Sequence, residues 1–417
     1  MDNSQQRDQE ALEVAVEAGH ILLENGAEIS RIEETMERIA TNFGVDSKSF
    51  YVIGNGIFST GRNFANVTYI PFKGAQLDKV VAVNELSREI ADMQYTAAQS
   101  RKRLEEIRAM PGKPKWQQVA GAAAGCAFFS ILFGGGFDEG LASLLCGAIL
   151  WCFILLVRRW KFSKMFGNIC GGAIATLCSI IFWKMGLAVS LCHIIVGTVI
   201  ALVPGVPFIN GIRDIADEDY ISGTARLLDA LMVFFSIALG CSITFIIYGH
   251  LAGGFSTINN LTEVSPMTSN IVVQSLAAFL GTLGFSVLFG VPTKHYLSCS
   301  LVGMAGWASY VAITQYLGAS PAEGTLCGTL AVALLARFCA VWRHCPATVF
   351  LLTGIFPMVP GGGIFWTSYY LVSHQFPLAF LSGFTAVKVA IALVLGIVLV
   401  SVIPNSFFHL SGARDRA

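Results

Sequence analysis

Arg226 and Asp229 lie three residues apart in GTARLLDAL, close enough on one helical face to pair. A guanidinium beside a carboxylate at the edge of an apolar run has two uses. Arg226 can take the carboxylate of a solute while Asp229 titrates. Alternatively, the two can form a static ion pair between helices, because charges near apolar segments are costly unless paired or hydrated. Upstream, VPGVPFINGIRDI (203–215) carries Pro204, Gly205 and Pro207, then Asn210, Arg213 and Asp214. Proline gives up an N–H and clashes with the preceding turn, and glycine adds backbone freedom, so the apolar run from Leu187 to Val203 is expected to break here. Broken backbone with polar side chains between two apolar helices is one way to meet a polar solute inside a bilayer. A solvated loop with ordinary helix stops is the other reading. A second VPG, with Pro360 and Gly361, is followed by Gly362 and Gly363. Lys388 sits deep inside the last apolar run. It can face a water-filled cavity and attract an anion, release its proton on burial, or pair with a fixed carboxylate such as Asp229.

Other chemistries find no support. GxSxG, HExxH and Walker A patterns are absent from the chain. The eleven cysteines fall almost wholly in apolar segments without a CxxC, as small buried hydrophobes do. No catalytic set, metal site or cofactor is expected. Only 13% of residues are charged and 54% are hydrophobic, against roughly a quarter charged in soluble proteins. The class is a polytopic α-helical membrane protein, with the lipid bilayer as a partner and no nucleic acid. The polar, acidic start does not read as a secretory signal peptide.

The elements that position these residues follow from periodicity. Residues 1–112 are expected to form a cytoplasmic α/β domain. Leu12, Val16, Leu22 and Leu23 recur at helical spacing until Asn25-Gly26. A second helix, with Ser30 and Glu33 as a capping box, puts Ile29, Ile32, Met36, Ile39 and Phe43 on one face and ends at Gly44. Phe50–Thr60 and Asn66–Phe72 read as a hairpin, and Gln76–Met110 as one long helix. Glu28, Glu33, Glu34 and Glu37 are expected to meet basic loops at the cytoplasmic mouth, or to form a solvated helix face.

Ten apolar segments follow, near 117–134, 138–157, 167–183, 187–207, 224–249, 271–290, 297–317, 322–341, 346–366 and 380–402. With the first domain inside, Arg158, Arg159, Lys161, Lys164, Arg213, Lys294, Arg337, Arg343, Arg414 and Arg416 also fall inside. Both termini are then cytoplasmic, and the loop Gly249–Asn270, with Glu263 as its single charge, is outside. A shift of roughly 155 residues brings the first segment onto the sixth and one VPG onto the other. The expected fold is therefore about ten helices as a 5+5 inverted repeat, with repeat 1 at 113–250 and repeat 2 at 251–417. Inverted repeats are common among secondary transporters.

With AGHILLENGAEISRIEETMERIATNFGV (18–45), VNELSREI (83–90), LFGGGFDE (132–139), VPGVPFINGIRDI and VPGGG in hand, the chain resembles the threonine/serine exporter family along nearly its whole length. The resemblance implies export of small amino acids, or of small dicarboxylates as in related two-component members, driven by a proton or another ion gradient at the plasma membrane. It carries Pro204, Gly205, Asn210, Asp214 and Arg226 over as functional positions. The second VPG lacks the polar NGxxD continuation, which argues against equal contributions from the two copies. The substrate-site expectation is Pro204, Gly205, Asn210, Asp214, Arg226, Asp229, Pro360, Gly361 and Lys388. A small-molecule solute is the expected partner, and a homo-oligomer stays open. A channel or sensor with the first domain as signalling module is the alternative, and an enzyme is the weakest class.

Overall fold

The computed structural model describes residues 3–45, 50–61, 64–160, 162–251, 270–359, 361–404 and 407–408. In the N-terminal segment, α1 (Asn3–Glu24) stops at Asn25-Gly26, where Gly26 takes φ +88°. The helix α2 (Ile29–Asn42) buries Ile29, Ile32, Met36 and Ile39, the face expected from their spacing. The expected capping box does not form, because Glu28 is the N-cap position and makes no side-chain cap bond. Glu33 instead accepts the Val52 N–H at 2.9 Å, and Ser30 Oγ donates to Asp217 at 2.6 Å.

Three strands replace the expected two: β1 (Phe50–Ile53), β2 (Gly56–Gly61) and β3 (Phe64–Tyr69), antiparallel in that order. Ile53 pairs with Gly56, so Gly54-Asn55 is a two-residue turn that folds the first expected strand back on itself. The sheet's inner residues Val52 and Ile57 join Ile21, Ile32 and Met36 in one core. The expected helix over 76–110 is two, α3 (Leu77–Ala91) and α4 (Ala97–Ala109). Met93 at φ +55° cannot continue a helix, and a capping box between Thr96 and Gln99 starts the second one.

The remaining helices are α5 (Lys115–Leu132), α6 (Phe137–Trp160), α7 (Lys164–Lys184), α8 (Leu191–Val199), α9 (Gly205–Ala216), α10 (Tyr220–Leu251), α11 (Ile271–Leu288), α12 (Tyr296–Val311), α13 (Pro321–Arg343), α14 (Ala347–Ile355), α15 (Gly361–Val372) and α16 (Phe376–Ser401). Among the described residues, seven helical stretches are long and apolar enough to cross a membrane, or nine when each of two bent pairs counts once. This makes the chain a polytopic helical membrane protein. The first expected segment, 117–134, falls on α5, whose 18 residues include Lys115, Gln117 and Gln118 and so fall short in apolarity. The expected outer loop lies almost wholly outside the described residues, as do Lys161, Arg414 and Arg416.

Element starts recur at one spacing. Residues 115 and 271, 137 and 293, 191 and 347, 205 and 361, and 220 and 376 are each 156 apart, and 164 and 321 are 157 apart. Side-chain bonds recur with them: Trp151 Nε1 donates to Gln118 at 3.4 Å, and Trp307 Nε1 to Gln274 at 2.9 Å. All nine residues of α8 are buried, as are Thr348–Ile355 of α14. A helix apolar and buried on every side belongs at the centre of a bundle, so the bent pairs form the middle of the molecule.

Candidate functional site

The first bent pair is α8, one 3-10 turn over Ile200–Leu202, and α9, joined at 61°. The second is α14, a 3-10 turn over Phe356–Met358, and α15, joined at 41°. The first break is an inverse γ-turn: Pro204 at φ −80°, ψ 59° is its centre, and Gly205 N–H donates to Val203 O at 2.8 Å. Gly361 N–H makes the same bond to Val359 O at 2.7 Å, while Pro360 lies outside the described residues. The two breaks touch. A Cβ on Gly205 would stand 2.5 Å from Phe356 Cε2, and one on Gly361 would stand 3.0 Å from Ile200 Cδ1. Glycine is required at Gly205 because the Phe356 ring occupies the place of a side chain.

The polar residues of α9 are helical, not looped, and they point at the N-terminal segment. Asn210 Nδ2 donates to Gly26 O at 2.7 Å. The fully buried Asp214 accepts the Ile29 N–H at 3.1 Å and Arg226 Nη1 at 2.7 Å. Arg226 also donates to Ala27 O at 3.2 Å. A carboxylate from α9 thus caps the N-terminus of α2, where orphan N–H groups and the helix dipole favour negative charge. Glu28 forms an ion pair with Arg213 at 2.5 Å, bent away from hydrogen-bond alignment, and accepts Arg31 Nε at 3.1 Å. Thr348, at the start of the second bent pair, accepts from Arg213 at 3.0 Å and donates to Glu28 at 3.3 Å. Burial raises the Glu28 carboxyl, but the Arg213 and Arg31 guanidiniums outweigh it and hold the group below its ordinary value.

Asn210, Asp214 and Arg226 therefore come together, but around the turn Gly26–Ile29. The expected Arg226–Asp229 pair does not form. Asp229 binds Lys164 at 2.5 Å, with both side chains about half exposed, because Arg226 turns towards Asp214 instead. Lys388 does not face the bundle interior; it lies on the exposed face of α16, 5.2 Å from the centre of the Phe384 ring. Of the four glutamates expected at the mouth, Glu28 meets Arg213, whereas Glu34 pairs within its own helix with Arg38. Thr348 and Phe356 also belong to this region and were not singled out from sequence. A phenylalanine three residues ahead of VPG is the only local signal they give.

A cavity of about 700 Å³ opens between the N-terminal segment and the first break. Phe285, Phe289 and Phe356 line it beside Pro204 and Gly205, with the Phe285 and Phe356 rings 4.2 Å apart. Basic groups from both parts of the chain line the rest. Its size lies within the range of small-molecule sites.

Two family models describing threonine/serine exporters match the chain, one over residues 13–248 and one over residues 274–403. The threonine/serine exporter of Corynebacterium glutamicum is 22% identical over 377 residues, 87% of this chain and 71% of its own length. The probable threonine/serine exporter of Mycobacterium tuberculosis is 22% identical over 414 residues, 93% of this chain and 75% of its own. The probable succinate transporter subunit YjjP of Klebsiella aerogenes is 22% identical over 253 residues, 60% of this chain and 97% of its own. No solved structure matches.

Proposed function

The chain belongs to the threonine/serine exporter family, and we propose that it is a secondary exporter of a small carboxylate-bearing solute, driven by an ion gradient. The solute passes between the two helix breaks. One observation carries this reading: the breaks sit at the centre of the bundle and touch reciprocally, Gly205 against Phe356 and Gly361 against Ile200. The partners exchange under the 156-residue spacing, since Ile200 corresponds to Phe356 and Gly205 to Gly361. The same exchange relates Gly125 against Phe285 to Gly281 against Phe129.

Reciprocity of this kind supports a two-fold relation between repeats of five spans, with α5 as the tenth span because it stands 156 residues before the candidate span α11. Five is odd, so the second repeat is inverted, the arrangement in which a central site can open to either side in turn. Pro204, Gly205 and Gly361 form the path. Asn210, Asp214 and Arg226 dock the N-terminal segment, which is a cytoplasmic domain. Supporting that side, Lys294 pairs with Glu85 and Arg213 with Glu28, as expected if basic helix ends face the cytoplasm. Both termini are then cytoplasmic.

Flux tests this directly. Purified protein in liposomes should release preloaded threonine, serine or a dicarboxylate faster when a proton gradient is imposed. A second reading makes the N-terminal segment a sensor acting on α9, and the bonds from Asn210, Asp214 and Arg226 to Gly26–Ile29 favour it. Flux that ignores the gradient but responds to loss of those bonds would select the sensor.

A further inference from the structure

On the premise that the chain exports a carboxylate-bearing solute, we infer that the cavity between the N-terminal segment and the first break is its loading site. The site is built for a small organic dianion, held by Arg158 and Asn168 from the membrane helices and by Lys79 from the N-terminal segment. The charge inventory of the cavity carries this. Among the described residues, its lining holds the cations Lys73, Lys79, Arg108, Arg158 and Lys164, against one carboxylate, Glu24.

Most of these charges are already matched. Lys73 pairs with Glu24, Arg108 with Glu17 at 3.4 Å, and Lys164 with Asp229 at 2.5 Å. Two cations are not. Lys79 Nζ donates to a carbonyl, Arg108 O, at 2.9 Å. The Arg158 guanidinium lies 5.6 Å from the centre of the Trp151 ring. Among the described residues, neither has a carboxylate within ion-pair distance. A guanidinium resting on an aromatic face keeps its forked donors free for a planar carboxylate.

Beside them, Asn168 supplies a second, independent sign of a ligand. The residue lines the cavity, and its side-chain nitrogen is buried with no hydrogen-bond partner among the described residues. Buried donors are normally paired, and an orphan one in a cavity wall calls for an acceptor. The start of α9 borders the same space and adds the partial positive charge of a helix N-terminus.

The inventory also discriminates between solutes. A zwitterionic amino acid brings an ammonium that needs an acceptor, and the single lining carboxylate is taken by Lys73. A dianion needs only the two unmatched cations. The phenylalanines beside the break give its carbon chain an apolar surface. The cavity walls come from both the N-terminal segment, through Lys79, and the membrane helices, through Arg158 and Asn168, so the docked arrangement is what completes the site.

The test is equilibrium binding of labelled succinate and labelled threonine to the full-length protein in detergent, alongside liposome efflux of each. Succinate should bind and threonine should bind at least tenfold more weakly. Arg158→Gln should weaken succinate binding roughly ten- to hundredfold, the loss of one charge-assisted contact. Arg158→Lys should recover part of that loss, and Lys79→Gln should also weaken succinate while leaving residual threonine binding alone. Should Arg158→Gln not fold, as judged by its size-exclusion profile, Lys79→Gln reads the same site. Threonine efflux with tighter threonine than succinate binding, unaffected by Arg158→Gln and Lys79→Gln, overturns the loading site and leaves export standing. Absence of efflux for both solutes, with succinate still bound at Arg158, overturns export and leaves the binding site standing.

Discussion

The two bent pairs share a backbone and differ in almost everything their side chains do. Each has nine α-helical residues, a three-residue 3-10 turn, a VPG and a twelve-residue helix. After the break, α9 continues with Asn210, Arg213 and Asp214, whereas the positions 156 residues on are Trp366, Tyr369 and Tyr370. The α9 residues bind the N-terminal segment, which has no second copy. The α15 rings pack on one another and on Phe245 of α10. The backbone break is thus fixed by local chemistry that duplicates readily, and the side chains beyond it follow whatever lies alongside. Family positions that look like solute ligands in α9 are better explained by the neighbour that only this copy has.

Ranked by expected loss of export, the sharpest test of that contrast is Asp214→Ala against Tyr370→Phe. Removing Asp214 leaves Arg226 buried without a counter-charge and the Ile29 N–H uncapped. Breaking one half of a buried pair costs about 3–5 kcal/mol. Tyr370→Phe should stay within roughly 0.5 kcal/mol, as changes away from special features do. Thermal unfolding in detergent and liposome efflux read both. Equal effects from the two would break the comparison, because docking would then contribute nothing that the second copy lacks.

The next test probes where the breaks touch. Gly205→Ala puts a methyl against a ring at 2.5 Å, while Gly361→Ala meets the end of Ile200 at 3.0 Å and Val203 at 3.4 Å. Overpacking of the first kind costs about 1–3 kcal/mol, and a flexible isoleucine end can give way in the second. Efflux should fall in both and further in Gly205→Ala. The reverse order would place the tighter constriction on the second break.

What sequence could and could not reveal follows the same division. Pro204, Gly205 and the second VPG are local backbone signals, and the recurring spacing of roughly 155 residues was readable from them. The Asp214 partner was not, because it is a backbone N–H at Ile29, 185 positions away, and backbone groups leave no trace in residue identity. Arg226 and Asp229 satisfy the spacing rule for a pair, yet each finds a closer partner on another element, Asp214 and Lys164. Lys388 looked internal because its sequence neighbours are apolar, but in a bilayer apolar neighbours also mark the face turned away from the bundle.

A smaller, pH-dependent effect separates docking from the breaks. Glu28 has its carboxyl held below the ordinary 4.5 in the folded chain. A group depressed on folding stabilises the fold above its unfolded value, and that contribution is lost as pH falls through the folded one. The melting temperature of wild type should therefore exceed that of Glu28→Gln at neutral pH. The gap should narrow only below about pH 4.5, the ordinary value of the group. A gap that widens in acid would show Glu28 to be protonated in the docked state.

The last comparison should cost export nothing. Lys388 stands at the middle of α16 on its exposed face, and the residue 156 positions earlier, on α10, is Met232, also partly exposed. The corresponding position on α10 thus carries an apolar, partly exposed side chain. A charge at the centre of a spanning helix costs roughly 2.5–3.5 kcal/mol on lenient scales. Lys388 is about 13 residues from either end of α16, some 20 Å along the axis, too far for its side chain to reach water. Lys388→Met then makes the two copies alike, and the protein should unfold at the same or a higher temperature with efflux unchanged. Met232→Lys should do the opposite to stability. If Lys388→Met abolished efflux while the protein stayed folded, the exposed face of α16 would be part of the machinery, and the second repeat would carry a charge function that the first does not.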